Sequence, residues 1–169
     1  MSDANIILIG FMGSGKSTVG RRVAKRAGYD FLDTDHQIEA DMNMKVSEIF
    51  AAHGEAYFRE LESRLAASLV HKTRTVVATG GGLPVLNQET LKSAGKIIWL
   101  KSTLPEILKR VRHDGSRPLL TDSQNEEKRH TLFTERESIY KSLAQFVVLT
   151  DSRPMMAIVS TILRYIQSH

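Results

Sequence analysis

A chain of 169 residues has the length of one compact domain, and 41% apolar with 25% charged residues suits a buried core rather than disorder. The absence of cysteine excludes disulfides, thiolate zinc sites and cysteine nucleophiles, and a net charge of +4 favours small anionic ligands over nucleic acid. The longest run of apolar residues and glycine, Ile6 to Gly13, is well short of the roughly 20 residues that span a bilayer. Met1 to Asn5 lacks the basic start of a secretory signal, so a cytoplasmic chain with no membrane partner is expected.

Asn5 to Gly10 (NIILIG) is an isoleucine-rich run ending in glycine, the pattern of a strand buried on both faces, and helical periodicity follows from Lys16 to Ala27. Gly28 stops that helix. Phe31-Leu32, Val76 to Ala78, Ile97 to Leu100 and Phe146 to Leu149 are further short strands. Glu55 to Lys72 has apolar residues at helical spacing (Ala56, Phe58, Leu61, Leu65, Leu69, Val70), and Ser102 or Thr103 with Pro105 opens a helix running to His113. Five strands alternating with helices predict an α/β fold with a parallel sheet covered on both faces and ligands outside the carboxyl ends of the strands. Asp114 to Glu127 is polar, contains Gly115 and Pro118, and breaks the rhythm as a loop of the kind that closes over substrates. The six histidines have no metal-binding spacing and receive no role.

Gly10-Phe11-Met12-Gly13-Ser14-Gly15-Lys16-Ser17-Thr18 fits G-x-x-x-x-G-K-[ST], with a strand before it and a helix after it. Glycines let backbone amides turn toward phosphate oxygens, Lys16 adds a mobile positive charge, and Ser17 offers a hydroxyl to Mg2+. Nucleoside triphosphate binding follows. The guanine-reading Asn-Lys-x-Asp of GTPases is absent, and the third strand ends in Thr79-Gly80-Gly81-Gly82 where ATPase motors usually place an acid. Asp33 and Asp35 follow the second strand instead and would point the same way in extended backbone; alternatively, Asp35 caps the next helix and Asp33 is a turn residue.

Further residues favour a kinase of a small anion. Arg59 either reaches into a pocket or pairs with a neighbouring glutamate, and Gly80 to Gly82 either admit a ligand close to the backbone or form a simple turn before Pro84. Arg117 and Arg136 add cations, although each alone has the character of a surface residue.

The chain resembles the shikimate kinase family, P-loop enzymes of the nucleoside monophosphate kinase type. The matching pieces are the P-loop, Asp33-x-Asp35 with Ile38-Glu39, Ser47 to Phe50, Gly54-Glu55, Phe58-Arg59-x-x-Glu62, Thr79 to Gly82, Arg117 to Leu120 and Arg136-x-x-x-Tyr140. The resemblance implies a three-layer sandwich with a five-stranded parallel sheet in the order 2-3-1-4-5. It implies one P-loop kinase domain over 1–169, a substrate-binding region at about 33–62 and a lid at about 112–126. The implied reaction moves the ATP γ-phosphoryl group to the 3-hydroxyl of shikimate, on the route to chorismate and aromatic amino acids.

By the same resemblance, Gly13, Ser14, Gly15, Lys16, Ser17 and Thr18 with Arg117 hold the phosphates, and Arg110, Arg153 and Pro154 flank adenine. Ser17 and Asp33 serve one Mg2+ ion, while Asp35, Arg59, Gly81, Gly82 and Arg136 bind shikimate. Lys16, Asp35 and Arg117 are the catalytic residues, and the partners are ATP and shikimate, with a monomer expected. Asn43 stands where the family often has glycine; asparagine tolerates the left-handed turn needed there. A kinase of another sugar acid, such as gluconate, and a nucleotide-dependent binding module are the rival readings.

Overall fold

Residues 3–112 and 125–169 are described in a computed structural model. His113, Gly115, Arg117, Pro118, Leu119 and Leu120, with most of the expected lid, lie outside the described residues.

Strand β1 (Asn5–Ile9) is buried along its whole length. It runs through the P-loop into α1 (Lys16–Ala27), which ends on Gly28 in a left-handed conformation, as the sequence pattern predicts. Then follow β2 (Asp30–Asp33), α2 (Thr34–Met42), α3 (Val46–His53), α4 (Glu55–Leu69) and β3 (Thr75–Ala78). The second half holds α5 (Leu83–Leu86), α6 (Gln88–Ala94), β4 (Gly95–Lys101), α7 (Leu104–Val111), α8 (Glu126–Leu143), β5 (Phe146–Leu149) and α9 (Met155–Ser168). The five strands pair in parallel in the order β2-β3-β1-β4-β5.

The two-residue period of the strands distributes their side chains to two cores. Ile7, Ile9, Val77, Ile97 and Trp99 pack under Ala66 and Leu69 of α4, Leu91 of α6, Ile107 of α7 and Tyr140 of α8. Ile6, Leu8, Val76, Ile98 and Leu100 face Val19 and Val23 of α1 with Ile158, Val159 and Ile162 of α9. Helices thus cover both faces. At the amino ends of the strands the buried Asn5 amide donates to the carbonyls of Leu69, Lys72 and Ala94, while its oxygen accepts from the Thr75 N–H. This fastens the end opposite the P-loop.

Beyond the β2 edge, α2 to α4 close on a small separate core of Ile38, Ile49 and Phe58. Asn43 ends α2 with φ 50 and ψ 39, the left-handed turn expected of it. Two expectations change in this region. The chain turns helical at Thr34, so Asp33 and Asp35 do not lie along one extended run, and Asp33, not Asp35, caps α2. Helix α4 ends at Leu69, leaving Val70 44% exposed, while Glu62 on its buried stripe is 1% exposed. The described part of α7 ends at Val111.

Candidate active site

In the P-loop, Gly13 and Gly15 have φ of 82 and 92, values that a Cβ makes unfavourable. The Ser14 N–H turns back to the Phe11 carbonyl at 3.1 Å. A Cβ on Gly13 would meet Val111 and Ile107 at 3.0 and 3.2 Å, so α7 backs the loop directly. Helix α1 has neither a side-chain cap nor an acid in its first turn, so no residue of α1 itself neutralises the positive dipole end that faces the loop. Lys16 is buried, with Nζ donating to the carbonyls of Gly10 at 2.7 Å and Phe11 at 3.0 Å. Ser17 Oγ donates to Asp33 Oδ2, and Asp33 Oδ1 accepts from the N–H groups of Asp35 and His36. One carboxylate therefore both starts α2 and reaches the P-loop hydroxyl.

The glycine run after β3 forms a floor that four charged side chains approach. Its entry is held by Thr79 Oγ1 donating to the Leu8 carbonyl at 3.0 Å and by the Gly80 N–H donating to Thr34 Oγ1 at 2.8 Å. A Cβ on Gly80 would lie 2.6 Å from Asp35 Oδ1 and 3.2 Å from Glu62 Oε2. On Gly81 it would meet Arg136 Nη1 at 3.2 Å and the Met12 N of the P-loop at 3.3 Å, and on Gly82 it would strike the Arg59 guanidinium. Asp35, Arg59, Gly81, Gly82 and Arg136 are thus brought together, beside the P-loop. Gly81 is held in turn by Tyr140, whose hydroxyl donates to its carbonyl at 2.6 Å.

Of the two roles the sequence left open for Arg59, the structure shows the pairing, with Glu62 and Glu55, and the guanidinium also lies over Gly82. Burial pushes the Glu62 carboxyl up, against the pull of Arg59, and the nearby Asp35 charge adds to the rise. For Arg59, burial opposes the charge but Glu62 and Glu55 outweigh it and hold the guanidinium above its usual range. Arg136 moves down, chiefly through burial and also through repulsion from Arg59. Glu62 Oε2 and Arg136 Nε are buried and have no hydrogen-bond partner among the described residues. Buried polar atoms are rarely left so, and both belong to the cluster on the glycine floor.

At the ends of β4 and β5, Arg110 donates to Ser102 Oγ at 2.9 Å and to the Thr150 carbonyl at 3.3 Å. The Arg153 N–H reaches the same carbonyl. The Arg153 guanidinium turns away, to the Leu149 carbonyl and Thr161 Oγ1, so the Arg153-Pro154 pair offers a surface more than a charge. Glu62, Tyr140 and Asp151 had no assigned role in the sequence. Glu62 and Tyr140 stand at helical spacing from Arg59 and Arg136, a usable signal; Asp151 carried none.

A P-loop on a 2-3-1-4-5 parallel sheet, beside a glycine floor that gathers one aspartate and two arginines, defines a P-loop kinase of the nucleoside monophosphate kinase fold. A deoxyadenosine kinase from M. mycoides, 18% identical with a TM-score of 0.64, shares that fold. The shikimate kinase family model matches residues 12–167. A shikimate kinase from Sulfurihydrogenibium sp. is 42% identical over 165 residues, covering 96% of this chain and 98% of that protein. A shikimate kinase from Acinetobacter baumannii, solved in complex with shikimate, is 35% identical with a TM-score of 0.90, over 98% of this chain and 93% of that one. The Aquifex aeolicus enzyme is 36% identical with a TM-score of 0.82, over 97% and 96% of the two chains. The chain belongs to the shikimate kinase family.

Proposed function

We propose that this member of the family transfers the γ-phosphoryl group of ATP to the 3-hydroxyl of shikimate, giving shikimate 3-phosphate and ADP. The observation that carries the reading is the convergence of Asp35, Arg59 and Arg136 on a glycine floor that abuts the P-loop at Met12. Shikimate is a hydroxylated ring carboxylate. Two guanidinium groups match its carboxylate, and a carboxylate matches its hydroxyls.

The phosphates are assigned to the amides of Gly13 to Thr18, to Lys16 and, on the resemblance alone, to Arg117. Lys16 exchanges the loop carbonyls of Gly10 and Phe11 for phosphate oxygens. Asp35 orients the acceptor oxygen and takes its proton as the new O–P bond forms and the bond to ADP breaks. Alignment and charge neutralisation supply most of the rate in such a loose transfer.

Ser17 and Asp33 are adjacent oxygen donors, and no cluster of three or more metal-ligating acids and histidines occurs among the described residues. That donor set fits Mg2+, which takes few protein ligands and completes its shell with water and substrate phosphates. When bound, the ion would supply positive charge to the phosphates, and Ser17 and Asp33 would hold it. Residues 33–62 contribute Asp35 on α2 and Arg59 on α4 to the acceptor site, and 112–126 are assigned as the lid on the resemblance alone.

Steady-state ATP turnover with shikimate, with gluconate and with neither tests the reading. ADP formation that requires shikimate is the expected result; equal turnover with gluconate, or turnover independent of acceptor, would refute it.

A further inference from the structure

Helix α7 begins without a side-chain cap of its own. The missing acceptor comes from the loop after the adjacent edge strand: Asp151, just past β5, accepts from Thr103 N–H at 3.1 Å and from Thr103 Oγ1 at 2.6 Å. Its other oxygen accepts from Ser102 Oγ at 2.8 Å. Three donors on the β4–α7 loop thus share one carboxylate on the β5–α9 loop. Thr150 closes the same seam, with its N–H on the Lys101 carbonyl at 2.9 Å and its hydroxyl 2.8 Å from Ser102 Oγ.

The consequence reaches Arg110. A serine hydroxyl has one proton and two lone pairs. With its proton directed to Asp151, Ser102 presents lone pairs to Arg110 Nη1, which donates to it at 2.9 Å. Glu106 holds the other side of the guanidinium, at 3.6 Å from Nε. After Asp151 the chain reverses through Ser152, at φ 55, directly into Arg153-Pro154. Asp151 therefore sits where it orders both surfaces assigned to the nucleobase, while its own oxygens are taken up by loop donors.

We infer that Asp151 is a positioning residue for the nucleobase: it clasps the β4–α7 and β5–α9 loops together and so holds Arg110 and Arg153-Pro154 at a fixed separation across the base. The inference rests on the adenine assignment of those residues. It goes beyond it in giving base affinity to a side chain that does not touch the base. Loss of the clasp weakens the grip on adenine and leaves the triphosphate and the acceptor untouched.

The test uses Asp151→Ala and Asp151→Asn, the latter turning an amide donor toward the Thr103 donors, with Arg110→Ala as the reference. Measured are KM for ATP and for shikimate, kcat, and inhibition by magnesium tripolyphosphate, which carries the phosphates without a base. Each Asp151 variant should raise KM for ATP by on the order of tenfold and by no more than Arg110→Ala does, because it acts only through the base-flanking residues that it positions. Shikimate KM, tripolyphosphate inhibition and kcat should stay near the parent values. Asp151→Asn decides alone if the alanine variant fails to fold. If Arg110→Ala raises KM for ATP and neither Asp151 variant does, the clasp is overturned. If tripolyphosphate inhibition weakens as much as ATP binding, Asp151 acts on the P-loop or the fold, and the inference is again overturned. If Arg110→Ala leaves ATP binding unchanged, the adenine assignment itself falls, and the clasp with it.

Discussion

Gly82→Ala should separate acceptor binding from stability. Gly82 has φ −92 and ψ −15, a conformation alanine adopts freely, and removing a glycine from such a position lowers the entropy of the unfolded chain by about 0.4–1 kcal/mol. The new methyl, however, would lie 2.8 Å from Arg59 Cζ and Nη2 and nearer still to Nη1. Ordinary contact requires the guanidinium to retreat by roughly one ångström. A side-chain end can make that move at little cost to the fold, but Arg59 then leaves the position set by Glu62 and Glu55. Misplacing one charged hydrogen bond to the acceptor carboxylate costs about 1.5–3 kcal/mol, which corresponds to about a tenfold to hundredfold rise in shikimate KM. Gly81→Ala intrudes less, with contacts of 3.2 Å to Arg136 and 3.3 Å to Met12, and should lose less. Initial-rate kinetics in both substrates with thermal unfolding give the readout. An unchanged shikimate KM in Gly82→Ala, or equal rises for ATP and shikimate, would refute the placement of Arg59 at the acceptor.

Lys16→Ala should abolish measurable turnover with little change in Tm, because Nζ, which holds the Gly10 and Phe11 carbonyls, is the charge assigned to the phosphate oxygens during transfer; near-normal kcat would remove Lys16 from the phosphates. Arg136→Lys should lower kcat/KM for shikimate sharply, since lysine loses the planar fork, and should lower it little further for an acceptor whose carboxylate is replaced by an amide. Losses of equal size for acid and amide would place Arg136 elsewhere. Asp151 titrates below its unfolded value of 3.8: burial raises it, but hydrogen bonds from Thr103 and Ser102 and the charge of Arg110 outweigh that. Its stabilisation is therefore complete above the unfolded value and is lost as pH falls through the lower folded one. The Tm difference between the parent and Asp151→Asn should shrink on acidification below about pH 4, and a gap that widens there would contradict the assignment.

The P-loop was legible because its chemistry is local. Consecutive residues supply the strand end, the left-handed glycines, Lys16 and Ser17, and the same short-range patterns marked α1 to the residue and placed each of the five strands. The strand order and the acceptor role assigned to Asp35, Arg59, Gly81, Gly82 and Arg136 came instead through resemblance, since these residues are far apart in the chain and carry no common spacing. Helix α8 (EEKRHTLFTERESIYKSL) has charges around its circumference, so no clean apolar stripe announced it.

Whether Asp33 or Asp35 capped α2 depended on the residue at which β2 gave way to helix. That the glutamate pairing of Arg59 also sets it over Gly82 came from the fold, because the paired Glu62 is itself buried beside the glycine floor. Asp151 carried no signal in the sequence; the pairing of β4 with β5 brought it to Ser102 and Thr103. Sequence patterns record the backbone preferences of neighbours, whereas desolvation, and the partner that compensates it, depend on what the folded sheet brings across tens of residues.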